Sequence, residues 1–86
     1  MSEKTMEYFL QDYLFLLWER AQEAQAECRQ ARAGSSAEDT AFQCGRALAY
    51  YEVLSTFKNQ AQVFDIEGRI FGLKDIDPDQ LIGLIH

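Results

Sequence analysis

Two cysteines, a ladder of glutamates and a small group of arginines are the residues of this 86-residue chain whose types and spacing could do chemistry. Cys28 and Cys44 could ligate a metal, form a disulfide or serve as small apolar side chains. Two thiols supply only half of a tetrahedral site, and the single histidine, His86, is remote from both in sequence, so metal ligation is the weakest of the three. Glu19, Glu23 and Glu27 recur every fourth residue and share one helix face. Carboxylates arranged this way can build di-metal centres, but those sites also use Glu-x-x-His pairs, which this chain lacks. The ladder is therefore expected to be a solvated face. Arg29, Arg32 and Arg46 form the one basic concentration and are the candidate contact for an anion. The competing explanation is structural: cations suit a helix C-terminus, and Glu38 and Asp39 stand close enough to pair with them. No nucleophile–base pair, glycine-rich phosphate loop or internal histidine is available, so the chain reads as a non-enzyme with no catalytic residue, cofactor or metal.

The elements that position these residues are helical. Glu3–Ala33 contains neither proline nor glycine, and from Ala37 to about Phe64 the one interruption is Gly45. Between them stands Gly34-Ser35-Ser36. The expected architecture is an all-α antiparallel hairpin, a single domain over 1–86 with a helix over 3–33, a turn at 34–36, a helix over 37–64 and a C-terminal segment over 65–86. Ser2 or Thr5 can cap the first helix, and Gly34 can close it. Ser35 with Glu38, or Ser36 with Asp39, can cap the second.

Leu10, Leu14, Leu17, Ala21, Ala24, Cys28 and Ala31 recur at alternating spacings of four and three, the seam of a helix packed at a shallow angle. The second helix carries two stripes. One is Ala37, Ala41, Cys44, Leu48 and Tyr51; the other is Ala47, Tyr50, Leu54, Phe57, Ala61 and Phe64. About the turn, residues whose numbers sum to about 72 stand level. Cys28 then faces Cys44, with Ala24, Ala41 and Gly45 permitting close approach. A disulfide is sterically conceivable there, but a cytoplasmic setting favours two reduced, buried thiols.

The hairpin is expected to be slim at its tip and bulky at its base, where Leu14, Leu17, Trp18, Leu54 and Phe57 should form the central core. Tyr8, Phe9, Tyr13, Phe15, Leu16 and Trp18 make the first helix apolar on more sides than one partner helix can cover. The expected interaction surface is Tyr8, Phe9, Phe15, Trp18, Tyr50, Phe57 and Phe64, through which two hairpins pair into a four-helix bundle.

The C-terminal segment stays apolar through Ile66, Ile70, Phe71, Leu73 and Ile76 despite Gly68 and Gly72. Asp77-Pro78-Asp79-Gln80 is a helix start, predicting a short helix over 78–84. Its apolar residues Leu81, Ile82, Leu84 and Ile85 should fold back on the base, or else dock on another protein. Whole-chain properties agree with a small soluble domain. Nearly half the residues are hydrophobic, too many for disorder. The net charge of −6 disfavours nucleic acid and anionic membrane as partners. The longest uncharged apolar run, Tyr13–Trp18, is far shorter than the roughly 20 residues of a membrane span. The N-terminus has no basic start or cleavage site, so the expected location is cytoplasmic.

The run Gly45-Arg46-Ala47-Leu48-Ala49-Tyr50-Tyr51-Glu52-Val53-Leu54-Ser55, followed by a helix end and Asp-Pro-Asp, resembles that of small uncharacterised bacterial α-helical hairpin proteins. The resemblance covers roughly the last half of the chain and implies a hairpin fold, with no activity and no functional residue attached. The function expected from the residues is a self-associating protein–protein interaction module. The alternative is an acidic inhibitor of a nucleic-acid-binding protein, its carboxylates mimicking phosphates; interspersed rather than blocked acids favour the first. RNA binding through the tip arginines is a third reading.

Overall fold

Freedom from helix breakers over Glu3–Ala33 has its counterpart in one long rod. The computed structural model, which describes residues 3–70 and 72–81, places α1 over Glu3–Gly34 and α2 over Ala37–Val63. The 32 residues of α1 at 1.5 Å per residue are about 48 Å long, and the molecule measures 48 × 21 × 17 Å. Ser36, not Ser35, caps α2: its side chain accepts from the Asp39 amide at 3.1 Å. Gly34 is the last helical residue, and its φ is not positive, so the left-handed closure expected of it does not occur. Helix α1 is already formed at Glu3, which puts Thr5 inside it rather than at its cap; Ser2 lies outside the described residues.

The α1 seam packs as its spacing dictates. Leu14, Ala21, Ala24, Cys28 and Ala31 are buried, with Leu10 and Leu17 half-buried beside them. On α2 the fully buried residues all come from the second stripe, while Cys44 and Tyr51 of the first are half-buried against the core. Ala47, Leu54 and Ala61 are buried, whereas Ala37, Ala41 and Leu48 of the first stripe face out. The inner line reaches the turn through Cys44 and Thr40, whose hydroxyl donates to the Ala31 carbonyl at 3.0 Å.

Helix α2 ends in a Schellman closure. The Ile66 amide donates to the Ala61 carbonyl at 2.9 Å and the Asp65 amide to that of Gln62 at 3.1 Å, with Asp65 at φ 55°. Beyond it run two 3₁₀ turns, Glu67–Arg69 and Leu73–Asp75, joined through Gly72 at φ 84°. This segment returns along the hairpin and closes its core. Ile70, Leu73, Ile76 and Leu81 are buried against Leu14, Ala21, Leu54 and Ala61. Polar contacts hold it at three heights. Arg69 reaches Glu3 and Glu7, Lys58 donates to the Ile76 carbonyl at 2.9 Å, and Gln25 donates to the Gln80 carbonyl at 3.0 Å. The Arg69 guanidinium is held above its ordinary pKa by its hydrogen bond to Glu3 and then by that to Glu7, so it stays charged.

At the expected helix start the Asp77 carboxylate accepts from the Asp79 amide at 3.1 Å, Pro78 stands in a turn and residues 79–81 are helical. The rest of the expected 78–84 helix, with Ile82, Leu84 and Ile85, lies outside the described residues, as do Phe71 and His86.

The expected central core needs correcting. Leu14 and Leu54 are 1% exposed, but Leu17, Trp18 and Phe57 are only half-buried at its margin. The returning aliphatic residues took the central places. They come from a segment that stays apolar but that Gly68 and Gly72 break into short turns, so no long helix marks them as central.

Candidate interaction surface

With the described residues of 66–81 closing the core, a large apolar part of α1 is still exposed. Tyr8, Phe9, Tyr13 and Phe15 are 63, 59, 51 and 57% exposed, with Met6 and Leu16 also exposed. Phe9 and Tyr13, one helical turn apart, stack with ring centroids 6.0 Å apart. Between this face and the returning segment lies an open groove of about 860 Å³. Tyr8, Phe9, Phe15 and Trp18 line its α1 wall, and Gly72, Asp75 and Ile76 form the other. Thr5, Gln11 and Asp12 contribute polar groups on the α1 side.

The structure thus brings together Tyr8, Phe9, Phe15 and Trp18 of the expected surface and separates the other three. Tyr50 and Phe57 are half-buried against the core. Phe64 caps α2 and is 71% exposed, outside the groove lining. Thr5, Gln11 and Asp12 were legible in the sequence, since they stand three or four residues from Tyr8 on the same face. Asp75 and Ile76 were not, because only the path of the chain after Gly72 sets them opposite α1.

The cysteines also require a correction. Cys28 and Cys44 are level and inward, as expected, but they are joined as a disulfide rather than reduced. Their Cα atoms are 4.5 Å apart, within the span that a disulfide bridges. Fully buried Ala24 and Ala47 let the backbones come this close. Gly45, expected to help, faces solvent, and a Cβ there would meet nothing within 4 Å.

Arg46 is held by Glu27 and by Gln43, the latter at 3.0 Å, so one candidate anion contact is occupied internally. Arg29 and Arg32 are exposed. Glu19, Glu23 and Glu27 are exposed as expected for a solvated face, and the described residues contain no cluster of three metal-ligating side chains. No described helix is long and apolar enough to cross a membrane. No protein-family model, curated protein or solved structure matches the chain.

Proposed function

We propose that the protein is a non-enzymatic interaction module that pairs with itself through the aromatic face of α1, two hairpins forming a four-helix bundle. The observation that carries this reading is the face itself: it stays exposed where the described residues up to Leu81 have closed the core. Aromatic side chains carry about 150–250 Å² each, so four of them more than half exposed offer several hundred Å². A standard interface buries about 800 Å² per partner, a size that Met6, Leu16 and Trp18 help this face approach. The accessible surface, 5957 Å², exceeds the roughly 5200 Å² typical of a monomer of this mass.

Sedimentation equilibrium tests the proposal. The expected result is a dimer at tens of micromolar that becomes a monomer when Phe9 and Phe15 are both changed to Ser, with helicity retained. A wild-type monomer across that range would sink it. A cytoplasmic site of action requires the Cys28–Cys44 bond to be transient or redox-sensing, since that compartment keeps thiols reduced; an oxidising compartment would hold it permanently.

A further inference from the structure

The open face of α1 has its own repeat. Lys4 and Thr5, Tyr8, Gln11 and Asp12, Phe15, and Trp18 and Glu19 recur at spacings of three and four, as a second seam beside the one that packs on α2. A seam of this kind takes another helix. Its charges show which helix and in which direction.

Resting on the self-association proposed above, we infer that the occupant is α1 of a second copy, running antiparallel, with the two-fold axis between Gln11 and Asp12. Residues equidistant from that axis then stand level across the interface. Tyr8 meets the partner's Phe15, and Thr5 meets the partner's Trp18, each contact occurring twice because a two-fold interface repeats every pair. Gln11 stands level with the partner's Asp12, where its amide can donate to the carboxylate. Lys4 stands level with the partner's Glu19. Lys4, Asp12 and Glu19 are all exposed, and none is engaged in the ion pairs that hold the C-terminal segment. A parallel pairing of the same seam sets Lys4 on Lys4, Asp12 on Asp12 and Glu19 on Glu19, three like-charge contacts. The antiparallel register still leaves Asp12 one residue, about 1.5 Å along the axis, from its counterpart, but it turns the Lys4 and Glu19 contacts from like-charge to opposite-charge, so the charges favour that direction. In this register the two helices overlap over Lys4–Glu19, about 24 Å, with Tyr8 and Phe15 in the seam and the other exposed aromatics, Phe9 and Tyr13, on its flank.

Charge reversal reads the register directly. Lys4→Glu and Glu19→Lys should each weaken the dimer about tenfold, since each turns two exposed attractions into repulsions. The double variant Lys4→Glu/Glu19→Lys restores the pairing and should return to within about threefold of wild type. Circular dichroism on each variant confirms that the hairpin is intact. A second arm mixes Lys4→Cys with Glu19→Cys under mild oxidation. The antiparallel register predicts cross-links between the two variants, and a parallel one predicts cross-links of each variant with itself. A wild-type monomer would overturn self-association and this inference together. A dimer indifferent to single reversals, or a double variant no tighter than the singles, would overturn the register and leave self-association standing.

Discussion

Cys28 shows how much one residue's environment decides. Its side chain is 1% exposed, its neighbours Ala24 and Ala47 are fully buried, and its sulfur is bonded to that of Cys44. The bond joins residues 16 apart and encloses the turn, so it removes freedom from the unfolded chain. In the chain-entropy account a loop of this length is worth about 3 kcal/mol. Cys28→Ala/Cys44→Ala should therefore lower the unfolding free energy by about that amount, measured by urea titration. Before reduction, the protein unfolded in urea at neutral pH should take up no alkylating reagent, and protein trapped in acid should weigh two daltons less than its reduced form. Prompt alkylation of both thiols would mean that the bond is absent from the isolated protein.

At the scale of the elements, the two helices differ in how well each residue suits its place. Helix α1 has no weak point before Gly34. Helix α2 carries Gly45 in its interior, exposed, with open space where a side chain would go. Glycine there costs backbone entropy and no packing requires it. Gly45→Ala should stabilise the fold by about 1 kcal/mol, read as a higher thermal midpoint. A loss of stability would reveal a close contact at this face that the isolated chain does not make. The described part of the C-terminal segment is held differently, by buried Ile70, Leu73, Ile76 and Leu81 and a few polar reaches from the helices. Exposed ion pairs such as those of Arg69 add little and weaken with salt, so the aliphatic contacts do most of the holding.

The whole molecule is a rod with a core on one side and an aromatic face on another. Its radius of gyration, 14.8 Å, exceeds the roughly 12 Å of a compact chain this long, which leaves more surface for a given interior. The core centres on Leu14, Leu54, Leu73 and Leu81 rather than on Trp18. Leu54→Ala should therefore cost about 2–5 kcal/mol, the range for a fully buried leucine. Trp18→Ala should cost about 1–3 kcal/mol under conditions that keep the protein monomeric, because its ring stands at the groove margin. Denaturant titration of both variants checks the order, and a larger loss from Trp18→Ala would place the core elsewhere.

The sequence by itself determined what local geometry governs. A breaker-free run made α1 and a run interrupted only by Gly45 made α2, serines and a glycine placed the turn, and the three-and-four spacing from Leu10 to Ala31 selected the inner face of α1. The same register set Cys28 opposite Cys44, but whether the sulfurs bond depends on how closely the helices approach, which the small residues allow without specifying. Helix α2 had two apolar stripes of similar strength, and only packing against α1 decided that Ala47, Leu54 and Ala61 turn inward. The path of residues 66–81 was the least legible. Ile66, Ile70, Leu73 and Ile76 recur at spacings of four and three, but Gly68 and Gly72 interrupt any continuous helix, and two 3₁₀ turns with a left-handed glycine set the path that turns them inward. That path displaced Trp18 from the core and built the second wall of the groove. Which aromatic residues remained available to a partner was therefore decided by tertiary structure, since exposure is what is left after every other segment has found its place.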